Sequence, residues 1–219
     1  MTIEELQARL AGLSLERRYI GVEELRVDGE GDTPKIRGYA AVFNSLSEDL
    51  GGFREQIAPG AFKRTIKSAD VRALWNHDPN YVLGRTRSKT LSLAEDDHGL
   101  AIEIDPPDTQ WARDLMVSIR RKDITQMSFA FQTLKDEWDS EDQENEVRTL
   151  VKVRLFDVSP VTYPAYTATD VEVKSGEDVL KEHRAAKSRA DAAAMDEKRK
   201  GLDQAREERE RKLRLLEVA

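Results

Sequence analysis

The chain has 219 residues, enough for one full domain with appendages, and its 35 Lys and Arg against 42 Asp and Glu leave a net charge of −7. That balance argues against a nucleic-acid binder working through bulk charge, and the absence of cysteine excludes disulfide scaffolds, thiolate metal sites and cysteine nucleophiles. Any hydrolytic nucleophile must therefore be an oxygen. No uncharged apolar run approaches the roughly 20 residues that span a bilayer, and the opening MTIEELQARL lacks the apolar centre of a secretion signal, so a soluble, non-secreted chain is expected.

Thr2 and Glu5 form a capping-box pair, and Ile3, Leu6, Leu10 and Leu13 recur at helical spacing, which predicts an amphipathic helix within residues 1–18. Beyond it, the turn-rich run DGEGDTP, Asp28 to Pro34, should be flanked by strands. From Lys35 to about Lys174 the pattern is mostly extended, within a domain expected over 19–174. Strands are predicted over Lys35–Phe43, Val71–Asn76, Thr90–Ala94, Leu100–Asp105, Gln126–Leu134, Val147–Val158 and Val171–Val173. Two helices interrupt them, Pro59–Lys67 and Asp108–Arg121, the second with Trp111, Leu115 and Ile119 at four-residue spacing. The acidic run Asp136–Glu146 reads as an exposed hairpin tip, since a metal loop needs spaced ligands and a sharp glycine turn. The fold class expected is a β-rich α+β domain, a mostly antiparallel barrel of about seven strands with surrounding helices.

The last 45 residues, 175–219, hold 12 Lys and Arg, 11 Asp and Glu and no aromatic residue, so they cannot build a core of their own. Their composition favours helix, and Met195, Leu202 and Leu216 share one heptad position that Arg209 interrupts. A long solvated helix or weak coiled coil is one reading; partial disorder with transient helix is the other.

Three residues could carry chemistry. His77, in ALWNHDPN, stands at the end of an apolar strand, with Asp78 and Pro79 expected to terminate it; it is either a general base at a sheet edge or a histidine that caps the strand. Ser128 lies in ITQMSFAF, where alternation puts Met127, Phe129 and Phe131 on one face and Ser128 with the small Ala130 on the other. That is a rigidly held hydroxyl with room before it, or a plain core serine. Asp157 interrupts the apolar VRLFDVSPV; alternation groups it with Val153 and Leu155, and its charge needs a partner, either in catalysis or in an ion pair with an arginine such as Arg148 or Arg154 of a neighbouring copy. Together the three supply the residue types of nucleophile, base and orienter.

Four ordered segments carry a resemblance. IRGYAAVFNS with FREQIAPGAFKRTI, then ALWNHDPNYVLGRT, then SIRRKDITQMSFAF and VRLFDVSPVTYPAY, between Ile36 and Tyr166, resemble the prohead serine proteases of tailed bacteriophages, relatives of the herpesvirus assemblins. The resemblance implies a serine endopeptidase with Ser128 as nucleophile, His77 as base and the acid position on Asp157. Many members carry glutamate there and the herpesvirus enzymes a second histidine, which leaves His98 as the rival. Arg85 is a candidate for the oxyanion site beside its plainer reading as a surface arginine. The family further implies a substrate in the major capsid protein or a scaffold protein, action inside the procapsid in the host cytoplasm, and self-cleavage. It leaves a homodimer open and implies no cofactor, metal, nucleic acid or membrane. The competing function is a non-enzymatic scaffold or assembly chaperone that binds capsid subunits. A metal hydrolase built on His77 with Asp78 or Asp157 lacks the clustered strong ligands that catalytic zinc needs.

Overall fold

The structure is a computed structural model that describes residues 15–21, 25–29, 34–140, 142, 145–163 and 174–217. Strand Val171–Val173 and most of the opening helix, as read from the sequence, lie outside the described residues; Leu15–Arg18 are strand. Ten strands are described: β1 Leu15–Gly21, β2 Arg26–Asp28, β3 Lys35–Val42, β4 Phe53–Ile57, β5 Arg72–Trp75, β6 Asp78–Arg85, β7 Leu91–Glu95, β8 Gly99–Ile104, β9 Gln126–Asp139 and β10 Glu146–Val161. Helices α1 Thr65–Ser68 and α2 Gln110–Arg120 accompany them, and α3 Gly176–Glu217 follows. The class is mixed α+β.

The strands pair as two open sheets, where the sequence predicts one barrel of about seven strands. One sheet runs β1-β9-β10-β5-β6, with β4 added beside β10; the other is β2-β3-β8-β7. Most neighbours are antiparallel, but β4 and β5 both lie parallel to β10, along different stretches of it. The extra strands were hidden by charge and proline. In β4 the buried Glu55 breaks the apolar alternation, and its charge is met by Arg18 and Arg148. In β6 Pro79 reads as a stop, yet β6 is an edge strand, where a missing N–H costs no ladder bond.

The acidic run is also shorter as a tip than expected. Asp136 to Asp139 continue β9 and Glu146 opens β10, because Arg148 pairs with Asp136 (2.7 Å) and Trp138 packs on Phe53 at 5.0 Å between ring centres. The helix expected from Pro59 to Lys67 is mostly turn, with regular helix confined to α1. Helix α2 buries Ala112, Leu115, Met116 and Ile119, close to the four-residue spacing read from the sequence.

Met127, Phe129 and Phe131 are all fully buried, as alternation predicts, and Phe129 stacks on Phe131 and meets Phe62 edge-on. Each buried large apolar side chain contributes about 1.5–3 kcal/mol. This apolar face anchors β9 and fixes its register on both sides.

The chain divides into two compact units between Gly176 and Glu177. Gly176 belongs with the sheets: a Cβ there would lie 1.8 Å from the Leu50 carbonyl oxygen, so only glycine fits. Helix α3 is continuous through Arg209. Among the described residues no helix is long and apolar enough to cross a membrane.

Candidate active site

Register brings the site together. In the β9/β10 pair, Ser159 lies opposite Ser128 and Asp157 opposite Ala130, so all four side chains share one face. Simple alternation places Asp157 with Leu155 instead. The difference comes from an irregularity between Leu155 and Asp157: Leu155 pairs with Phe131 and Asp157 with Ala130, so two steps on β10 match one on β9 and Phe156 is the extra residue. This bulge turns the carboxylate away from the core face that holds Leu155 and onto the face of Ser128. The pairing with Arg148 is not realised for Asp157: Arg148 pairs with Glu16, Glu55 and Asp136.

His77 arrives from the neighbouring strand. Beta strand β5 runs parallel to β10 with Arg72 opposite Asp157, and then turns back into β6 through two residues, Asn76 and His77, with Trp75 paired to Asp78. Both turn residues have positive φ, 54° and 59°, the pattern of a type I′ hairpin. Asn and His are both enriched among the few non-glycine residues that adopt this left-handed conformation, and such positions concentrate in tight turns and at functional sites. Asp78 and Pro79 therefore do not end the sheet; His77 is the hairpin's tip. Trp75, Tyr81 and Trp111 form an edge-to-face row at 5.5 and 5.3 Å that fastens this hairpin to α2.

The imidazole bridges the other two groups. His77 Nδ1 lies 2.6 Å from Asp157 Oδ1 and Nε2 lies 2.6 Å from Ser128 Oγ. An ionised carboxylate only accepts, so Nδ1 carries the hydrogen and Nε2 presents its lone pair to the serine hydroxyl. The side chains of His77 and Asp157 are 5% and 13% exposed, and Ser128 is fully covered, so a peptide reaching Oγ must part the side chains above this face. Such desolvation strengthens the charge–dipole interactions within the site.

The sequence reading missed Ser159. Its hydroxyl is fully buried and donates to the same Asp157 Oδ1 at 2.9 Å. Its spacing two residues beyond Asp157 was the available signal, since strand residues i and i+2 share a face. His98 instead packs edge-on against Tyr39 at 4.5 Å, and the Arg85 guanidinium forms a two-pronged pair with Asp70, whose carboxyl that hydrogen bond holds below its ordinary range.

A second polar cluster braces β9, the strand of Ser128. Arg148 joins Glu16 (2.5 Å), Glu55 (2.9 Å) and Thr133 (2.8 Å), while Arg18 joins Glu55 (2.8 Å). Burial pushes the Glu16 carboxyl up, but the hydrogen bond from Arg148 and the charge of Arg18 more than reverse this, leaving it below the usual range. The cluster ties β1, β4 and β10 to β9 and fixes β1 beside that strand, with Tyr19 opposite Ser128.

Comparison with known proteins gives the family of the chain. Residues 22–182 match the family of caudovirus prohead serine proteases, and the chain belongs to that family. A curated relative, the prohead protease of Enterobacteria phage HK97, is 31% identical over 119 residues, which span 52% of this chain and 49% of the relative. The match thus covers about half of that relative's length. Among solved structures, the capsid assembly protease of bacteriophage T4 overlaps 69% of this chain and 98% of its own with a TM-score of 0.46 and 9% identity.

Proposed function

We propose that the chain is a serine endopeptidase that cuts a capsid or scaffold protein during phage head maturation, with Ser128, His77 and Asp157 as its triad. The observation that carries this is the pair of 2.6 Å contacts through which His77 joins Ser128 to Asp157. Ser128 Oγ attacks the scissile carbonyl while its proton passes to His77 Nε2; Asp157 holds the tautomer and stabilises the imidazolium. His77 then protonates the leaving amine. Water, deprotonated by the same nitrogen, releases the acyl group from Ser128. Ser159 steadies the carboxylate, so that Oδ1 lies at the meeting point of two hydrogen bonds.

The capsid substrate and the setting inside the procapsid are supported by family membership and by similarity to the HK97 prohead protease. Co-expression with the cognate capsid protein, followed by mass spectrometry of both, tests the reading. The wild type should yield discrete truncations that Ser128→Ala does not, while the variant remains soluble. Equal, uncut capsid protein with both chains would favour the binding scaffold instead.

A further inference from the structure

We infer that Asn76 is a positioning residue: its side chain clasps the end of β10 and thereby sets where His77 meets Ser128 and Asp157. The inference rests on the protease reading above. His77 sits in a two-residue turn, and a hairpin tip swings easily unless something outside the hairpin holds it. The Trp75–Tyr81–Trp111 row holds the strands of the hairpin, and Asn76 holds its tip. The Asn76 N–H donates to the Pro160 carbonyl (3.0 Å), Asn76 Oδ1 accepts from the Thr162 N–H (2.8 Å), and Asn76 Nδ2 donates to Thr162 Oγ1 (3.3 Å).

The anchor point is significant. Pro160 and Thr162 follow directly on Asp157 and Ser159 in the chain, and Pro160 lies opposite Met127, next to Ser128 on β9. The clasp therefore refers the base to the same strand end that carries its orienting acid. Asn76 itself is exposed, so its hydrogen bonds compete with water and add little to global stability. An exposed clasp that contributes little to folding but constrains a catalytic imidazole should act on rate, because misplacing a reacting group by about 1 Å can cost about 100-fold.

Asparagine at positive φ has a plainer role, that of supplying the left-handed conformation, and the two roles predict opposite orders. For conformation alone glycine is the best residue, so Asn76→Gly would equal or exceed the wild type and Asn76→Asp would trail it. For the clasp, Asn76→Gly loses both side-chain bonds, whereas Asn76→Asp keeps the acceptor for the Thr162 N–H. The test measures kcat, KM and thermal midpoint for the full chain on a peptide spanning a cut mapped in the co-expressed capsid protein. The expected result is kcat in the order wild type, Asn76→Asp, Asn76→Gly, with the last reduced about 10- to 100-fold, KM unchanged and the midpoint nearly so.

Wild-type kcat in Asn76→Gly would overturn the inference, as would a raised KM at constant kcat, which would make Asn76 a substrate contact. If Asn76→Gly loses its fold, Asn76→Asp and Thr162→Val carry the test, and wild-type kcat in both overturns it. A wild type that cuts no peptide and leaves the capsid protein intact would instead remove the protease reading itself, and this inference with it.

Discussion

Ser159 separates orientation from chemistry within one carboxylate. Asp157 Oδ1 accepts from both His77 Nδ1 and Ser159 Oγ, so removing the second donor leaves the triad complete but less firmly aimed. Ser159→Ala should lower kcat about 10-fold with little change in KM, since a hydrogen bond to a charged group is worth about 1.5–3 kcal/mol and only part of it bears on the transition state. Asp157→Asn should be harsher, about 10⁴-fold, because an amide can donate to the imidazole and reverse its tautomer. Equal losses in the two variants, read by steady-state kinetics, would mean that Ser159 is not subordinate to Asp157. At this scale the sequence was informative where side-chain parity was undisturbed. Ser128 was placed on its face by the Met127, Phe129, Phe131 alternation, but Asp157 was assigned to the wrong face because a bulge is one extra residue with no compositional mark.

The strands add what single residues lack, a buried ionic brace. Arg148 and Glu16 are 4% and 2% exposed and sit 132 positions apart, a pairing that no local pattern announces. Arg148→Met would leave Glu16 and Glu55 buried with Arg18 as their remaining cation, and removing one partner of a buried pair costs about 3–5 kcal/mol. Denaturant titration at neutral pH should show a loss of that size; an unchanged midpoint would mean the cluster is relaxed by water. The pH dependence has a definite sign. Glu16 has a folded pKa below its unfolded value, so the unfolded chain binds the extra proton, and the brace stabilises fully above the model-compound value of 4.5 and fades as pH falls through the lower folded value. Arg148→Met takes away the hydrogen bond that contributes most to the depression, so its deficit against the wild type should narrow in acid. Charge also explains the strands that pattern reading missed, since β4 hides Glu55 in this brace and the end of β9 hides Asp136 beside Arg148.

For the whole molecule, the division at Gly176 separates the catalytic candidates from the charged helix. Ser128, His77 and Asp157 all lie in the first unit, and α3 carries none of them. We propose that the helix serves packaging with a scaffold partner. A chain ending after Gly176, which keeps the glycine that packs on Leu50, should hydrolyse peptide at a rate within about twofold of the full chain yet enter procapsids poorly; unchanged incorporation, measured on purified procapsids, would remove that role. The tail was legible in composition alone, through its charge and lack of aromatics. The sheet architecture was not, because two parallel neighbours on different stretches of one strand are set by contacts distant in sequence. The convergence of Ser128, His77 and Asp157 is testable without any knowledge of the natural substrate. The wild type, treated with an alkyl fluorophosphonate and mapped by peptide mass spectrometry, should carry one adduct, on Ser128, that His77→Ala fails to form. An adduct on another serine, or equal labelling of Ser128 without His77, would contradict the account.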